Sequence, residues 1–321
     1  MKKVLFILSG YPAIYNYLDS SVLSALNVRE DTLTEVCSPT QPLEEIKKVC
    51  LIFKPDLVLT VLGDFLDKEK REWIMAQSFQ TALWLTEDPY YTEKSVKLLP
   101  VFQYIFTINQ ASAEYYKTLG YRHVYYLPLG TNLDVFVPKP IVKTVDICLI
   151  GYPYEERIKY IHLFLEETKF RVLVVGNLWR KSLINLQKNK QLTIIDRWIP
   201  PIKAGITYQS AKICLNTLRS STIPSNKNNV FIQNNSTNNR TFDIAATSSF
   251  QLTQHTNNLA EHFALEKEIS DFHTEEDLLN KLEWYLTEDD LREEIAINAR
   301  RKVLTCHSFS HRLEEIFTII F

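Results

Sequence analysis

Glycine is scarce in this sequence. The 321 residues include 7 glycines, and neither G-x-G-x-x-G nor the P-loop pattern occurs among them. The glycine-rich loops with which those motifs bind phosphate are therefore excluded. Any phosphate-binding site in this chain must be built from other groups.

Cysteine is also infrequent, and its spacing is irregular. The five cysteines are odd in number, and no two of them form a C-x-x-C pattern. This spacing argues against a structural zinc site and against a thioredoxin-type redox couple. Most of the cysteines lie within apolar runs, such as residues 147–150, which predicts reduced core thiols in a cytoplasmic protein.

The chain has no large excess of charge and no long apolar run. Its 36 Lys and Arg residues against 38 Asp and Glu give a net charge of -2, so no overall positive field attracts nucleic acid or an anionic lipid surface. The apolar run near the N-terminus spans about five residues, whereas the core of a signal peptide needs about 7–15. Nowhere does the chain reach the about 18 consecutive apolar residues of a membrane-spanning helix. We therefore predict neither a nucleic-acid partner nor a membrane span.

Short apolar runs alternate with amphipathic stretches of helical length, which is typical of βαβ units and a parallel sheet. Two prolines within residues 135–140 indicate a stiff linker, after which the pattern restarts. The fold class is therefore α/β, with two doubly wound Rossmann-like domains rather than one unusually wide sheet. In such folds ligands bind beyond the carboxyl ends of the strands, so a cleft between the two sheets is the expected site. The predicted strands lie at residues 4–8, 34–37, 56–61, 81–85, 104–108, 124–127, 146–150, 171–175, 192–195, 212–215 and 250–252.

An asparagine-rich stretch, residues 220–239, interrupts the second domain. It contains seven asparagines and little periodicity. A long loop inside a compact domain is usually functional or mobile. A disordered surface insertion is the alternative.

A helix is predicted to begin directly after this stretch. Arg240, in its first turn, places a fixed cation beside free backbone N–H groups, and together these suit a phosphate. Asp243 projects from nearly the same face and can accept hydrogen bonds from ribose hydroxyls. The pair is a candidate nucleotide site, although spacing alone favours an ordinary surface ion pair.

Four further residues are assigned to the same site. Gly151 ends the first strand of the second domain and lets a ligand approach the backbone. Arg157 lies in the helix that follows and can face the cleft, a solvent-facing orientation being the alternative. Asn216 and Asn239 complete the set.

In the first domain, two adjacent carboxylates come directly after a predicted strand. Glu87 or Asp88 could act as a general base toward an incoming hydroxyl, whereas turn formation by Asp-Pro is the alternative. Ser9, Gly10 and Tyr11 follow the first strand and are expected to face the same cleft. Tyr11 could stack on a ligand or hydrogen-bond to it, and Gly10 could serve the tight turn.

No metal site is predicted. His307 and His311 are four residues apart, but no third ligand accompanies them and H-E-x-x-H does not occur. We interpret both as polar surface side chains. His255 and His262 receive no role.

Three blocks follow one another in the second half of the chain. They are Arg-x-Phe-acid-x-x-Ala at 240–246, Glu-Ile-x-x-Phe at 268–272, and a closing His-Ser-aromatic-x-x-Arg helix at 307–312. Residues 84–89 add a Trp-x-x-acid-Asp-Pro segment, and residues 120–138 a matching interdomain stretch. In these features the chain resembles the spore-maturation CgeB-like glycosyltransferases from about residue 80 to its C-terminus.

The resemblance implies the GT-B fold. It assigns residues 1–137 to an acceptor-side Rossmann-like domain, residues 138–305 to a nucleotide-sugar-binding domain, and residues 306–321 to a helix that crosses back to the first domain. It further implies transfer of a sugar, most often from a UDP-sugar, to an unknown acceptor such as a spore-surface protein or glycan. The expected location is the cytoplasm, in the mother cell of a sporulating bacterium.

The expected activity is hexosyltransferase-like, without a cofactor and independent of metal. Negative charge on the departing diphosphate would be met by Arg240, Arg157 and helix N-termini. Two departures from the family pattern, Asp243 in place of the usual Glu and the turn 247–249 without glycine, support one alternative. That alternative is an inactive GT-B-fold protein of a spore layer that binds nucleotide or has a structural role. A sugar-nucleotide epimerase is the second alternative.

Overall fold

Twelve strands form two separate parallel sheets, one in each of two structural units. The computed structural model describes residues 1–321. The first unit comprises Met1–Gly130, Ser220–Ser236 and Phe309–Phe321, and the second comprises Thr131–Arg219 and Thr237–Ser308. The predicted α/β class with two doubly wound sheets is thus confirmed.

The sheet of the first unit has the order β2-β1-β3-β4-β5-β6. The direction of this order reverses between β1 and β3, and ligands bind at such a switch point. The strands are β1 (Lys2–Ile7), β2 (Thr32–Cys37), β3 (Leu57–Val61), β4 (Gln80–Leu85), β5 (Tyr104–Thr107) and β6 (Val124–Tyr126). The helices between them are α1 (Ile14–Asn27), α2 (Leu43–Phe53), α3 (Lys68–Met75), α4 (Thr92–Leu98) and α5 (Gln110–Thr118).

The sheet of the second unit has the order β12-β11-β10-β7-β8-β9. This is the Rossmann order, whose switch point lies between β7 and β10. The strands are β7 (Val145–Ile150), β8 (Val172–Val175), β9 (Leu192–Ile195), β10 (Ala211–Asn216), β11 (Gln251–Gln254) and β12 (Ser270–Phe272). The helices are α6 (Glu155–Glu167), α7 (Trp179–Ser182), α8 (Pro201–Gln209), α9 (Asn239–Ala246), α10 (Leu259–His262), α11 (Glu275–Thr287) and α12 (Asp289–Cys306).

Apolar burial on both faces explains why the central strands read as continuous hydrophobic runs. Residues 4–7 of β1 and 172–175 of β8 are buried, whereas the first two residues of β1 are more exposed. A parallel sheet covered by helices on both sides requires such runs, because neither face meets water. None of the five cysteines forms a disulfide, and four of them are buried.

The last helix, α13 (Phe309–Ile320), is part of the first unit. Its Phe309 ring packs edge-on against Tyr17 and Trp84, with centroids 6.3 Å apart in each case. Burial of Phe309 against these two rings fixes the start of the helix on the unit. None of the helices is long and apolar enough to cross a membrane.

The asparagine-rich stretch is held by hydrogen bonds within the first unit. Lys227 N donates to Tyr90 O at 2.7 Å, and Glu93 N donates to Lys227 O at 3.0 Å. Ser236 Oγ accepts from Gln110 N at 3.0 Å. These bonds place the stretch against the N-terminal ends of α4 and α5. The alternative that this stretch is a disordered surface insertion is therefore wrong.

Candidate functional site

Two arginine side chains converge at the carboxyl end of β7. A Cβ atom added to Gly151 would lie 2.5 Å from Arg157 Nη1 and 3.4 Å from Arg240 Nη2. Gly151 also has a φ of 149°, which residues with side chains rarely adopt. Glycine therefore leaves the space that both guanidinium groups need at the switch point of the second unit.

Arg157 is held rigidly in the interior. It is 2% exposed. Its Nε donates to Thr217 Oγ1 at 2.7 Å, its Nη2 to Thr217 O at 2.9 Å, and its Nη1 to Tyr152 O at 2.9 Å. These acceptors are neutral oxygen atoms, so they position the guanidinium without cancelling its charge. The solvent-facing alternative for Arg157 is therefore wrong.

Asn216 connects Arg240 to the end of β10. Arg240 Nη1 donates to Asn216 Oδ1 at 3.0 Å and lies 3.4 Å from Thr217 O. The Asn216 amide also accepts from Asn238 Nδ2 at 3.0 Å and donates to Thr241 Oγ1 at 2.9 Å. Asn216 is fully buried. It therefore positions Arg240 and the start of α9.

The remaining predicted residues, Asn239 and Asp243, lie in α9. Its N-cap is Asn238, whose side chain accepts from Thr241 N, and half-buried Asn239 follows as the first helical residue. Asp243 is 6% exposed and accepts a hydrogen bond from Thr131 Oγ1 at 2.7 Å. Burial of Asp243 excludes a surface ion pair with Arg240.

The helix α9 is anchored by an aromatic cluster beneath it. The Phe242 ring lies 4.8 Å from His307 and 5.9 Å from Phe263, measured between centroids. His307 is buried, and its Nε2 lies 3.1 Å from His262 O. The prediction of His307 as a surface side chain is wrong, because the ring fills the space under Phe242. The first and third sequence blocks therefore meet in the same core.

A pocket of about 310 Å³ lies at the switch point of the first unit. Its polar lining comes from the residues that follow β1, β3 and β4 and from α1 and α4. These side chains are Tyr11, Tyr15, Asp64, Glu87, Tyr91, Lys94 and Ser95. Carboxylates, phenols and an ammonium group thus surround one small cavity, where they can hydrogen-bond to a hydroxylated ligand.

Two hydrogen-bonded networks organise this pocket. Asp64 Oδ2 accepts from Tyr11 OH at 2.7 Å and from Lys94 Nζ at 2.9 Å. Glu87 Oε1 accepts from Tyr15 OH at 2.6 Å. Burial and the neighbouring carboxylates raise the pKa of the Tyr11 and Tyr15 phenols. Both phenols therefore stay protonated near neutral pH and serve as hydrogen-bond donors.

Asp88 lies in the interior and does not line the pocket. It is 1% exposed, and its oxygens accept from Ser95 Oγ at 2.7 Å, Thr107 Oγ1 at 2.7 Å and Tyr116 OH at 2.9 Å. Burial raises the pKa of the Asp88 carboxyl group. Through these hydrogen bonds the Asp88 side chain connects α4, β5 and α5. Of the two predicted acids, Glu87 is the one that reaches the pocket.

Only one of the three residues predicted after β1 reaches the pocket. Ser9 is fully buried, and its Oγ donates to Asp19 Oδ2 at 2.7 Å. A Cβ atom on Gly10 would lie 2.8 Å from the Phe65 ring, so this residue serves a tight turn. Tyr11 lines the cavity.

Sequence reasoning missed Asp64 and Lys94. Asp64 follows β3 at the switch point, and the rule that ligands bind there would have singled it out once the strand order was known. Lys94 carries no comparable signal, because its approach to Asp64 depends on how α4 packs.

Two comparisons by sequence find relatives of this chain. Residues 157–318 match the family model described as glycosyl transferase-like. The chain is 32% identical over 314 residues to the spore protein CgeB of Bacillus subtilis (strain 168), a match that covers 96% of this chain and 95% of CgeB.

Solved structures show the same fold at low sequence identity. Sucrose-phosphate synthase from Thermosynechococcus elongatus is 11% identical, with a TM-score of 0.69 over 99% of this chain and 98% of that one. Anabaena HepE, solved in complex with UDP and glucose, is 11% identical, with a TM-score of 0.69 over 99% of both chains. These similarities show the GT-B fold.

Proposed function

The chain belongs to the CgeB-like glycosyltransferase family, and from this membership we propose that it transfers a sugar from a UDP-sugar to a hydroxyl acceptor. The observation that carries the proposal is the pair of guanidinium groups, Arg157 and Arg240, beside Gly151. A nucleoside diphosphate is the ligand that this pair suits, because its two phosphates carry charge of the opposite sign.

The second unit supplies the donor site in this proposal. Arg157 and Arg240 bind the diphosphate, and the N-terminus of α9 adds backbone N–H groups directed at it. Asp243 accepts hydrogen bonds from the ribose hydroxyls, while Asn216 holds Arg240 in position. The choice of UDP is supported by HepE, which shares the fold and was solved with UDP and glucose.

Transfer proceeds without a divalent ion in this proposal. The negative charge that develops on the departing diphosphate is stabilised by two fixed guanidinium groups and by the start of a helix. Because Arg157 is already positioned by three hydrogen bonds, little reorganisation is needed when the charge appears. A metal ion would duplicate this role.

The pocket of the first unit is the proposed acceptor site. If the reaction inverts the anomeric centre, Glu87 accepts the proton of the attacking hydroxyl. If the reaction retains it, Glu87 orients that hydroxyl as a hydrogen-bond acceptor. Tyr11, Asp64 and Lys94 form a polar wall that suits the hydroxyls of a sugar or of a serine or threonine side chain.

A GT-B-fold protein of a spore layer that has lost turnover is the second candidate. The observation that favours it is the match to CgeB, which carries the name of a spore protein. The shorter acid Asp243 and the glycine-free turn 247–249 also favour it. For either candidate we propose synthesis in the mother-cell cytoplasm.

The test is incubation of the full chain with a panel of UDP-sugars while UDP release is followed. Transfer to an added acceptor, or slow hydrolysis of one UDP-sugar, supports the transferase. Binding of UDP without any release of UDP from the UDP-sugars supports the inactive candidate. A changed sugar that is still attached to UDP would identify an epimerase and contradict the proposal.

A further inference from the structure

Two histidines and an aspartate meet at the carboxyl ends of β11 and β12. Asp271 Oδ2 lies 2.6 Å from His255 Nδ1 and 3.7 Å from His273 Nε2. The three potential ligand atoms all lie within 4.8 Å of one another. None of these residues belongs to the proposed donor or acceptor site.

Strand register explains the proximity. β11 and β12 pair in parallel with Thr253 opposite Asp271, and His255 N continues the ladder by donating to Phe272 O at 3.0 Å. The two imidazole rings therefore lie side by side, stacked with centroids 4.2 Å apart. Asp271 lies within β12, and His273 directly follows the strand.

The electrostatic environment leaves one carboxylate oxygen directed at the two rings. The Asp271 side chain is 5% exposed, and its Oδ1 lies 3.8 Å from Lys281 Nζ. Lys281 also donates to Asp271 O at 2.6 Å. Lys281 thus keeps the carboxylate oriented from the side away from the imidazoles, as an outer-sphere partner orients a metal ligand.

We propose that His255, Asp271 and His273 bind one Zn²⁺ ion. Two imidazole nitrogens and one carboxylate oxygen are a donor set that Zn²⁺ accepts, with the fourth position left to water. The His255 and His273 side chains are 37% and 59% exposed, so an ion can enter from solvent. The ion would replace the proton between His255 Nδ1 and Asp271 Oδ2.

The ligand atoms must move when the ion binds. Zinc–ligand bonds of about 2.0–2.2 Å in a tetrahedron place neighbouring ligand atoms about 3.3–3.6 Å apart. The 2.6 Å contact must therefore open and the 3.7 Å contact close slightly. The two imidazole rings are stacked, so both must rotate before their nitrogen atoms point at one ion. Their partial exposure leaves room for this rotation. The bound ion would tie the short edge strand β12 to β11, a stabilising role separate from sugar transfer.

The experiment is a calorimetric titration of ZnCl₂ into the full chain after removal of metal with a chelator. We expect one ion per chain, with dissociation constants raised at least about tenfold in His255→Ala and His273→Ala, because loss of a mere outer-sphere partner already costs about 10–100-fold. His162→Ala is the matched control, since the His162 side chain is 42% exposed and its Nδ1 lies 3.6 Å from Glu166 Oε1. Its affinity should equal that of the unmodified chain.

A second measurement covers the chance that a variant fails to fold. Zn²⁺ should raise the Tm of the unmodified chain and of His162→Ala, and the same Zn²⁺ concentration should raise the Tm of His273→Ala much less. Co²⁺ should give a visible absorption band that disappears in His273→Ala. Equal affinities in all four proteins, or no saturable binding by the unmodified chain, would overturn the proposal.

Discussion

Individual side chains in the second unit place positive charge where a diphosphate is expected. Arg157 is fixed by neutral oxygen atoms and Arg240 by the Asn216 amide. The sequence singled out both arginines, since each stands near the start of a helix after a strand or loop. It could not show that they meet, because they lie 83 positions apart in the sequence and only the strand order brings them together.

Replacement of Arg240 by alanine should weaken UDP binding by about 1.5–3 kcal/mol, because a charge-assisted contact to phosphate is lost. Isothermal titration calorimetry measures the change. Arg301→Ala is the control, since this exposed arginine of the same unit contacts Asn298 on α12. An Arg240→Ala protein that folds and binds UDP as tightly as the control would disprove the assignment.

If the reaction inverts the anomeric centre, Glu87→Gln should abolish most transfer while leaving the affinity for UDP unchanged. A general base contributes about 10²–10⁴-fold to the rate, and the amide cannot accept the proton. The hydrogen bond from Tyr15 survives, because the amide oxygen still accepts it. Rates and UDP affinity are measured on the same preparation. Full activity in this variant would exclude Glu87 as a general base.

Asp88 gives a pH-dependent contribution to stability. Burial raises its pKa, so the folded state holds this proton more tightly than the unfolded state does. The contribution of Asp88 to the free energy of unfolding is fully present below about pH 4, near the pKa of this group in the unfolded chain. It is lost as pH rises through the pKa of Asp88 in the folded state. Urea unfolding of the unmodified chain and of Asp88→Asn should therefore show a stability difference that shifts in favour of the variant as pH rises. A constant difference would contradict this.

At the scale of elements, the ends of two strands define the donor site. β7 ends at Ile150 and β10 at Asn216, on either side of the switch point. Most strands follow the predicted ranges closely, since each is an apolar run in a sheet covered on both faces. β12 was missed because three residues give no readable period, and its formation depends on pairing with β11. The register that creates the His255 and His273 pair was hidden for the same reason.

Gly151→Ala should disrupt the donor site from the backbone. The added Cβ lies 2.5 Å from Arg157 Nη1, and the backbone conformation costs about 1–3 kcal/mol for a residue with a side chain. We expect a lower Tm, and we expect a larger loss of UDP affinity than in Arg240→Ala. Gly120→Ala is the matched control, because Gly120 has a φ of 95° but no atom within 4 Å of the added Cβ. Similar losses of UDP affinity in both variants would count against the crowding explanation.

At the scale of the whole molecule, the alternating pattern and the chain length were enough to predict two doubly wound sheets. They were not enough to assign Ser220–Ser236, which interrupts the second unit in sequence yet belongs to the first. Its hydrogen bonds to Tyr90, Glu93 and Gln110 are made between distant segments. No local pattern encodes such bonds, so the sequence left open whether this stretch was ordered.

Turnover by the full chain should persist in EDTA. The proposed charge stabilisation comes from arginine side chains and a helix N-terminus, and the proposed zinc site involves other residues. UDP release in EDTA should therefore match release with added Mg²⁺ within about twofold, a difference of only about 0.4 kcal/mol. Strict dependence on a divalent ion would refute metal-independent transfer.

The most direct test of the central claim is a crystal structure of the chain with UDP. The diphosphate is predicted within hydrogen-bonding distance of both Arg157 and Arg240, beside Gly151, with the ribose hydroxyls directed at Asp243. UDP bound elsewhere in the second unit, or bound without either arginine, would contradict the account.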